Sequence, residues 1–138
     1  MDEKEKNIQE MYMEFQMLDQ RIKQLQSQLE MLANQLMELN ATGNSLDEFS
    51  KITDEKEVFV PLSSGIFAKA TMKKSDELLV NVGASVVVAK DIPSTKKLIQ
   101  NQIEEIKKLQ QRMVADLEKM ADRAGQLEMH LQSMMPQE

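Results

Sequence analysis

The chain lacks cysteine and tryptophan and has one histidine, one tyrosine, four glycines and three prolines in 138 residues. Each shortage excludes something. Without cysteine there is no disulfide and no thiolate metal site, which fits a reducing compartment. Aromatic residues make up 4%, too few for a dense globular core to account for most of the chain. No apolar run approaches the roughly 18 residues of a membrane span, and Met1 to Lys6 lead into a polar helix with no charged-then-apolar leader. The expectation is a soluble, cytoplasmic protein. The net charge of −6 lies at both ends, so there is no basic footprint for nucleic acid or an anionic membrane.

Catalytic chemistry is equally hard to find. His130 has no Cys or second His beside it, and Asp76-Glu77 and Glu104-Glu105 read as solvated charge runs. No glycine pattern ends in Gly-Lys-Ser/Thr, and neither Ser63-Ser64-Gly65 nor Gly83-Ala84-Ser85 forms a nucleophile elbow. No catalytic residue, cofactor or metal is expected.

What is present is Glu, Gln, Lys, Leu and Met, the mixture of long helices. Apolar residues recur at Ile8, Met11, Phe15, Leu18, Ile22, Leu25, Leu29, Leu32, Leu36 and Leu39, with gaps alternating three and four. That is the a/d stripe of a left-handed coiled coil. Thr42-Gly43-Asn44-Ser45 interrupts it, and the stripe is expected to resume one step out of phase at Leu46, Phe49 and Ile52 after a kink or irregular turn. A second stripe runs Ile99, Ile103, Ile106, Gln110, Met113, Leu117, Met120, Ala124, Leu127, Leu131 and Met134, with Pro136 as its stop. Asp91 can cap this helix and Pro93 suits its first turn. Gln110 is the long polar side chain on the stripe, of the kind that fixes register.

Between the stripes, β-branched and aromatic residues cluster in short runs split by Gly and Ser. Two β-hairpins follow, one turning at Ser63-Ser64-Gly65 and one at Gly83-Ala84 with Gly leading. Val58, Val60 and Leu62 are expected on one face and Ile66, Ala68, Ala70 and Met72 on another, with Val86-Val87-Val88 apolar on both. Pro61 argues for an edge or bulge. Four short strands leave outer edges unpaired, so the sheet is expected to be completed by other chains. Val58, Phe59, Val60, Leu62, Ile66, Phe67, Leu79, Val80, Val82, Val86, Val87 and Val88 are the assembly residues.

The fold class is therefore α+β: a long antiparallel helical coiled-coil hairpin with two central β-hairpins that join an oligomeric β-barrel body. It reads as one domain over 1–138, with a first helix at 6–52, hairpins at 57–90 and a second helix at 91–135. Counting heptads from Ile8 and Ile103 places Met13, Met17, Met31, Met37, Met129 and Met135 outside the stripes. Methionine forms helices well, and isolated apolar surface residues are ordinary, which accounts for Met31 and Met37. Near the helix ends the residues act together. Ile8, Met11, Tyr12, Met13, Phe15 and Met17 meet Leu127, Met129, Leu131, Met134 and Met135, and fraying there would expose Ile8, Phe15, Leu127 and Leu131. Flexible thioethers suit varied apolar partners, so these eleven residues are the candidate client-binding tips.

The order helix, two hairpins, helix, with Val58-Phe59-Val60-Pro61-Leu62-Ser63-Ser64-Gly65-Ile66-Phe67 and Leu79-Val80-Asn81-Val82-Gly83-Ala84-Ser85 between, resembles the alpha class of prefoldin subunits, in its compact archaeal form. The resemblance spans nearly the whole chain. It implies a hexamer of two alpha and four one-hairpin beta subunits. It also implies capture of unfolded proteins at the tips without ATP, and their delivery to a group II chaperonin. A structural coiled-coil adaptor with one fixed partner is the other reading of the same pattern.

Overall fold

A computed structural model describes residues 2–52 and 55–134. The elements are α1 (Glu3–Ser50), β1 (Lys56–Ser63), β2 (Ile66–Met72), β3 (Glu77–Gly83), β4 (Val86–Asp91) and α2 (Ile92–Met134). The chain divides into two compact units, one of Met1–Leu36 with Glu105–Glu138 and one of Met37–Glu104. Met135 and Pro136 lie outside the described residues.

In the first unit the helices run antiparallel, held by an apolar stripe and by Arg123 on Glu14. Leu25, Met113 and Leu127 are buried at the seam, while Ile22, Leu29, Leu117 and Met120 are half-buried beside them. Asp2 starts α1 by accepting the backbone N–H of Glu5 at 2.8 Å, satisfying one of the donors a helix start leaves unpaired.

In the second unit α1 continues without a break, which corrects the expected kink at Thr42 to Ser45. Thr42 Oγ1 donates to the Glu38 carbonyl at 2.9 Å and Ser45 Oγ to that of Ala41 at 3.0 Å. The Thr42 and Ser45 hydroxyls are absorbed by the preceding turn of helix instead of making a chain turn. Nor does the stripe slip at Leu46. It lies seven residues after Leu39, is buried, and leaves Gly43 half-buried at the a position between them. The phase shifts only at Phe49, in the last turn. There Lys51 and Ile52 donate to the carbonyls of Glu48 and Phe49, tightening the helix end to three-residue spacing.

The two hairpins are built alike, twenty residues apart. Each forms its own two-stranded antiparallel sheet, and each carries one extra residue just before its turn, Leu62 in β1 and Val82 in β3. The bulge beside Pro61 agrees with the strand's reading. Gly65 has φ 78°, as its turn requires. The second turn lies one residue later than expected, at Ala84-Ser85, both in the left-handed region at φ 50° and 61°. Gly83 ends β3 instead, with φ 116° and its N–H held by Asn81 Oδ1 at 2.9 Å. Two central residues at positive φ match the right-handed twist of the flanking strands, and that demand outweighs the cost of placing Ala and Ser there.

Register corrects the face assignment of the first hairpin. Val58 lies opposite Ala70 and Val60 opposite Ala68, so β1 and β2 put these residues on the same side. In the second hairpin Val80 faces Val88 and Leu78 faces Lys90. Asp91 ends β4 and caps α2 with no intervening loop, accepting the Ser94 N–H at 2.7 Å. Its backbone carbonyl takes the hydroxyl of the buried Thr95. Lys96 then reaches Asp47 at 2.6 Å, tying the last turns of α1 to the first turn of α2.

Candidate functional site

Among the described residues two surfaces stand out as apolar and open, and each follows from the elements that carry it. At the ends of the paired helices, Ile8, Tyr12, Phe15, Leu131 and Met134, with Glu128 and Gln132, line a groove of about 430 Å³. The heptad explains it. Ile8, Phe15, Leu131 and Met134 occupy the stripe but are only half-buried, because the last turns have too few neighbours to cover them. Tyr12 falls off the stripe and forms an exposed wall.

The other predicted tip residues divide. Met11 is half-buried on the stripe. Met13, Met17 and Met129 are exposed, Met129 to 73%, but they do not line this groove. Met17 borders a second, shallower groove along α1 with Glu14, Leu18, Gln20, Arg21 and Gln24. Leu127 corrects the expectation that the ends fray open. It is 2% exposed, so it is a seam residue that holds the helices together immediately behind the groove. Glu128 and Gln132 also line the groove, although single polar residues on a polar helix face carry no sequence signal.

Arg123 fixes the register of this end. Its Nε donates to Glu14 Oε1 at 3.0 Å and its Nη2 to Oε2 at 3.2 Å, a paired geometry that orients the two side chains as well as attracting them. Hydrogen bonding to that carboxylate raises the guanidinium further above its ordinary value, so Arg123 keeps its charge.

The second surface lies on the hairpins and takes in residues of both faces. Phe59 and Leu79 are 72% and 79% exposed, and Leu62, Ile66, Phe67, Val82, Val86 and Val87 are also open. Val60 is exposed as well, while Val58, Val80 and Val88 are half-buried. At the base of the first hairpin, Val58 and Met72 face Leu46, Phe49 and Ile52 across a groove of about 410 Å³. Among the described residues, one edge of each strand in each two-stranded sheet has no neighbouring strand. Bare edges beside large apolar side chains are what a strand-pairing interface needs.

Among the described residues no group of three or more His, Cys, Asp or Glu converges as metal ligands would, and no helix is long and apolar enough to cross a membrane.

Antiparallel long helices enclosing two successive hairpins define the class: a paired-helix subunit whose β segment presents open edges. The model of the prefoldin subunit family matches residues 18–137, and the chain belongs to that family, in its alpha class. It is 28% identical over 137 residues to the prefoldin alpha subunit of Archaeoglobus fulgidus, covering 97% of this chain and 98% of that one. It is 26% identical over 110 residues to the prefoldin alpha subunit of Methanobrevibacter smithii, covering 80% and 75%. The fold also matches a chain of the filamentous prefoldin of Methanocaldococcus jannaschii, with a TM-score of 0.77 at 16% identity, covering 86% of this chain and 98% of that one. Prefoldins are a non-enzymatic chaperone family, and this is a chaperone-type subunit.

Proposed function

We propose that this subunit is an ATP-independent holdase in the cytoplasm, which captures unfolded proteins at its helix ends and hands them to a group II chaperonin. The observation that carries the reading is the groove of Ile8, Tyr12, Phe15, Leu131 and Met134, an apolar surface kept open to solvent where the helices end. Met13, Met17 and Met129 do not line it but are exposed, with side chains that adapt to varied shapes. No nucleotide is needed for release. Contacts of this kind are individually weak and gain strength only when several subunits surround one client.

Such multiplicity requires assembly. The hairpins supply it in this reading, their open edges pairing with strands of beta subunits in a hexamer of two alpha and four beta chains. Phe59, Phe67, Leu79 and Val87 are the side chains such pairing would cover.

The test replaces Ile8, Phe15, Leu131 and Met134 with Ser and measures suppression of aggregation of a denatured client, with beta subunits present. Suppression should fall while the mass of the complex stays that of a hexamer. Unchanged suppression removes the tips from the mechanism, and a mass other than the hexamer's removes the proposed stoichiometry.

A further inference from the structure

We propose that the groove at the helix ends selects apolar segments that carry an adjacent lysine or arginine, with Glu128 as the residue that reads the positive charge. This rests on the tip-capture reading and names the class of segment it takes. The lining is mostly apolar, from Ile8, Phe15, Leu131, Met134 and the ring of Tyr12, and its one charged side chain is Glu128. A space of about 430 Å³ accommodates one or two large side chains, so the occupant meets the Glu128 carboxylate at the wall as it enters.

That carboxylate is available. Among the described residues it takes part in no ion pair, and the positions three and four away on either side are Ala124, Gly125, Leu131 and Gln132, none of them cationic. Arg123, the nearest cation in sequence, is engaged with Glu14. The surrounding turns deepen the bias. Between residues 2–15 and 122–134 there are seven acidic side chains against three basic ones, and the Arg123 bridge neutralises one of each. An apolar segment flanked by cations complements such a wall, whereas one flanked by acids meets repulsion. Glu128 is on the rim rather than in the seam, so its effect is on discrimination and salt dependence more than on total affinity.

The experiment uses the full chain assembled with beta subunits and three fluorescein-labelled peptides with one Phe-Leu-Leu core, flanked by lysines, serines or glutamates, read by anisotropy at low and high salt. The lysine peptide should bind about three- to fivefold tighter than the serine peptide at low salt, the factor one exposed charge pair supplies, with the gap closing as salt rises. Glu128→Gln should remove most of that gap and leave serine-peptide binding in place. Gln132→Lys, on the same groove wall, should do the same by repulsion. Equal binding of all three peptides, or a gap that survives both substitutions in chains with unchanged helix content, overturns the charge selectivity alone. Failure of every peptide to bind overturns the capture reading with it.

Discussion

Arg123 of α2 and Glu14 of α1 are 109 residues apart in sequence and meet through two hydrogen bonds of 3.0 and 3.2 Å. A pair this distant in sequence states the register of the helices in one contact: residue 14 of the outgoing helix lies beside residue 123 of the returning one. Because both groups are exposed, the bridge specifies alignment more than it stabilises. Glu14→Lys should lower the melting temperature, more at low salt than at high, and adding Arg123→Glu should restore it. A double variant no better than the single one would show that the apolar stripe alone sets the register.

Gly43 and Gly125 are interior to long helices, and a Cβ added at either would meet no atom within 4 Å. Glycine in such a place costs about 1 kcal/mol against alanine. Gly43→Ala and Gly125→Ala should each raise unfolding stability by about that amount in urea titration, since the added methyl meets open space at both sites. The two sites lie in different units, so their effects should add.

The turn at Ala84-Ser85 holds two non-glycine residues at positive φ. Asn-Gly is the pair best suited to that backbone. Substituting Ala84→Asn together with Ser85→Gly should stabilise the second hairpin by about 1 kcal/mol, seen as slower hydrogen exchange in β3 and β4. The helices should exchange as before.

Asp91 and Asp47 both lie below the ordinary carboxylate range, Asp91 through the hydrogen bond from Ser94 and Asp47 through the hydrogen bond and charge of Lys96. A carboxyl depressed by folding contributes stability that is fully present above its unfolded value, 3.8, and is lost as pH falls through the lower folded value. Thermal melts from pH 6 to pH 2.5 should therefore show a loss below pH ~4 that is shallower in Asp91→Asn and Asp47→Asn. Asp91→Asn keeps a cap acceptor, so at pH 6 it should melt close to the parent, and Asp91→Ala should melt lower.

These residues also show how much of the molecule can be read from the chain itself. The stripes from Ile8 and from Ile99 repeat faithfully enough to announce two coiled-coil helices, and the glycine-punctuated runs announce two hairpins. Sequence and structure differ where a long-range constraint overrides a local signal. Thr42, Gly43, Asn44 and Ser45 look like a turn in isolation, yet Leu39 and Leu46 are one heptad apart and the helix follows the heptad. Gly83 attracted the turn assignment because glycine tolerates positive φ, whereas strand twist placed that conformation at Ala84 and Ser85. The relation between Val58 and Ala70 depends on cross-strand register, which the bulge at Leu62 displaces and which no single strand encodes. At the site, Ile8, Phe15 and Leu131 were legible as end residues. Leu127 was not distinguishable from them, because the burial that separates seam from rim depends on how far the partner helix extends. Glu128 was silent for a similar reason, since its interest comes only from the apolar side chains around it.

The central claim is that the helix ends, and not the hairpin faces, receive the unfolded chain. A photo-crosslinking side chain placed singly at Tyr12, Phe15, Met37, Phe59 or Leu79, with the assembled complex and a denatured client, measures this directly. Crosslinks to client from Tyr12 and Phe15, with little from Met37, Phe59 or Leu79, are the predicted result. Client crosslinks from Phe59 and Leu79 with none from Tyr12 or Phe15 would contradict it.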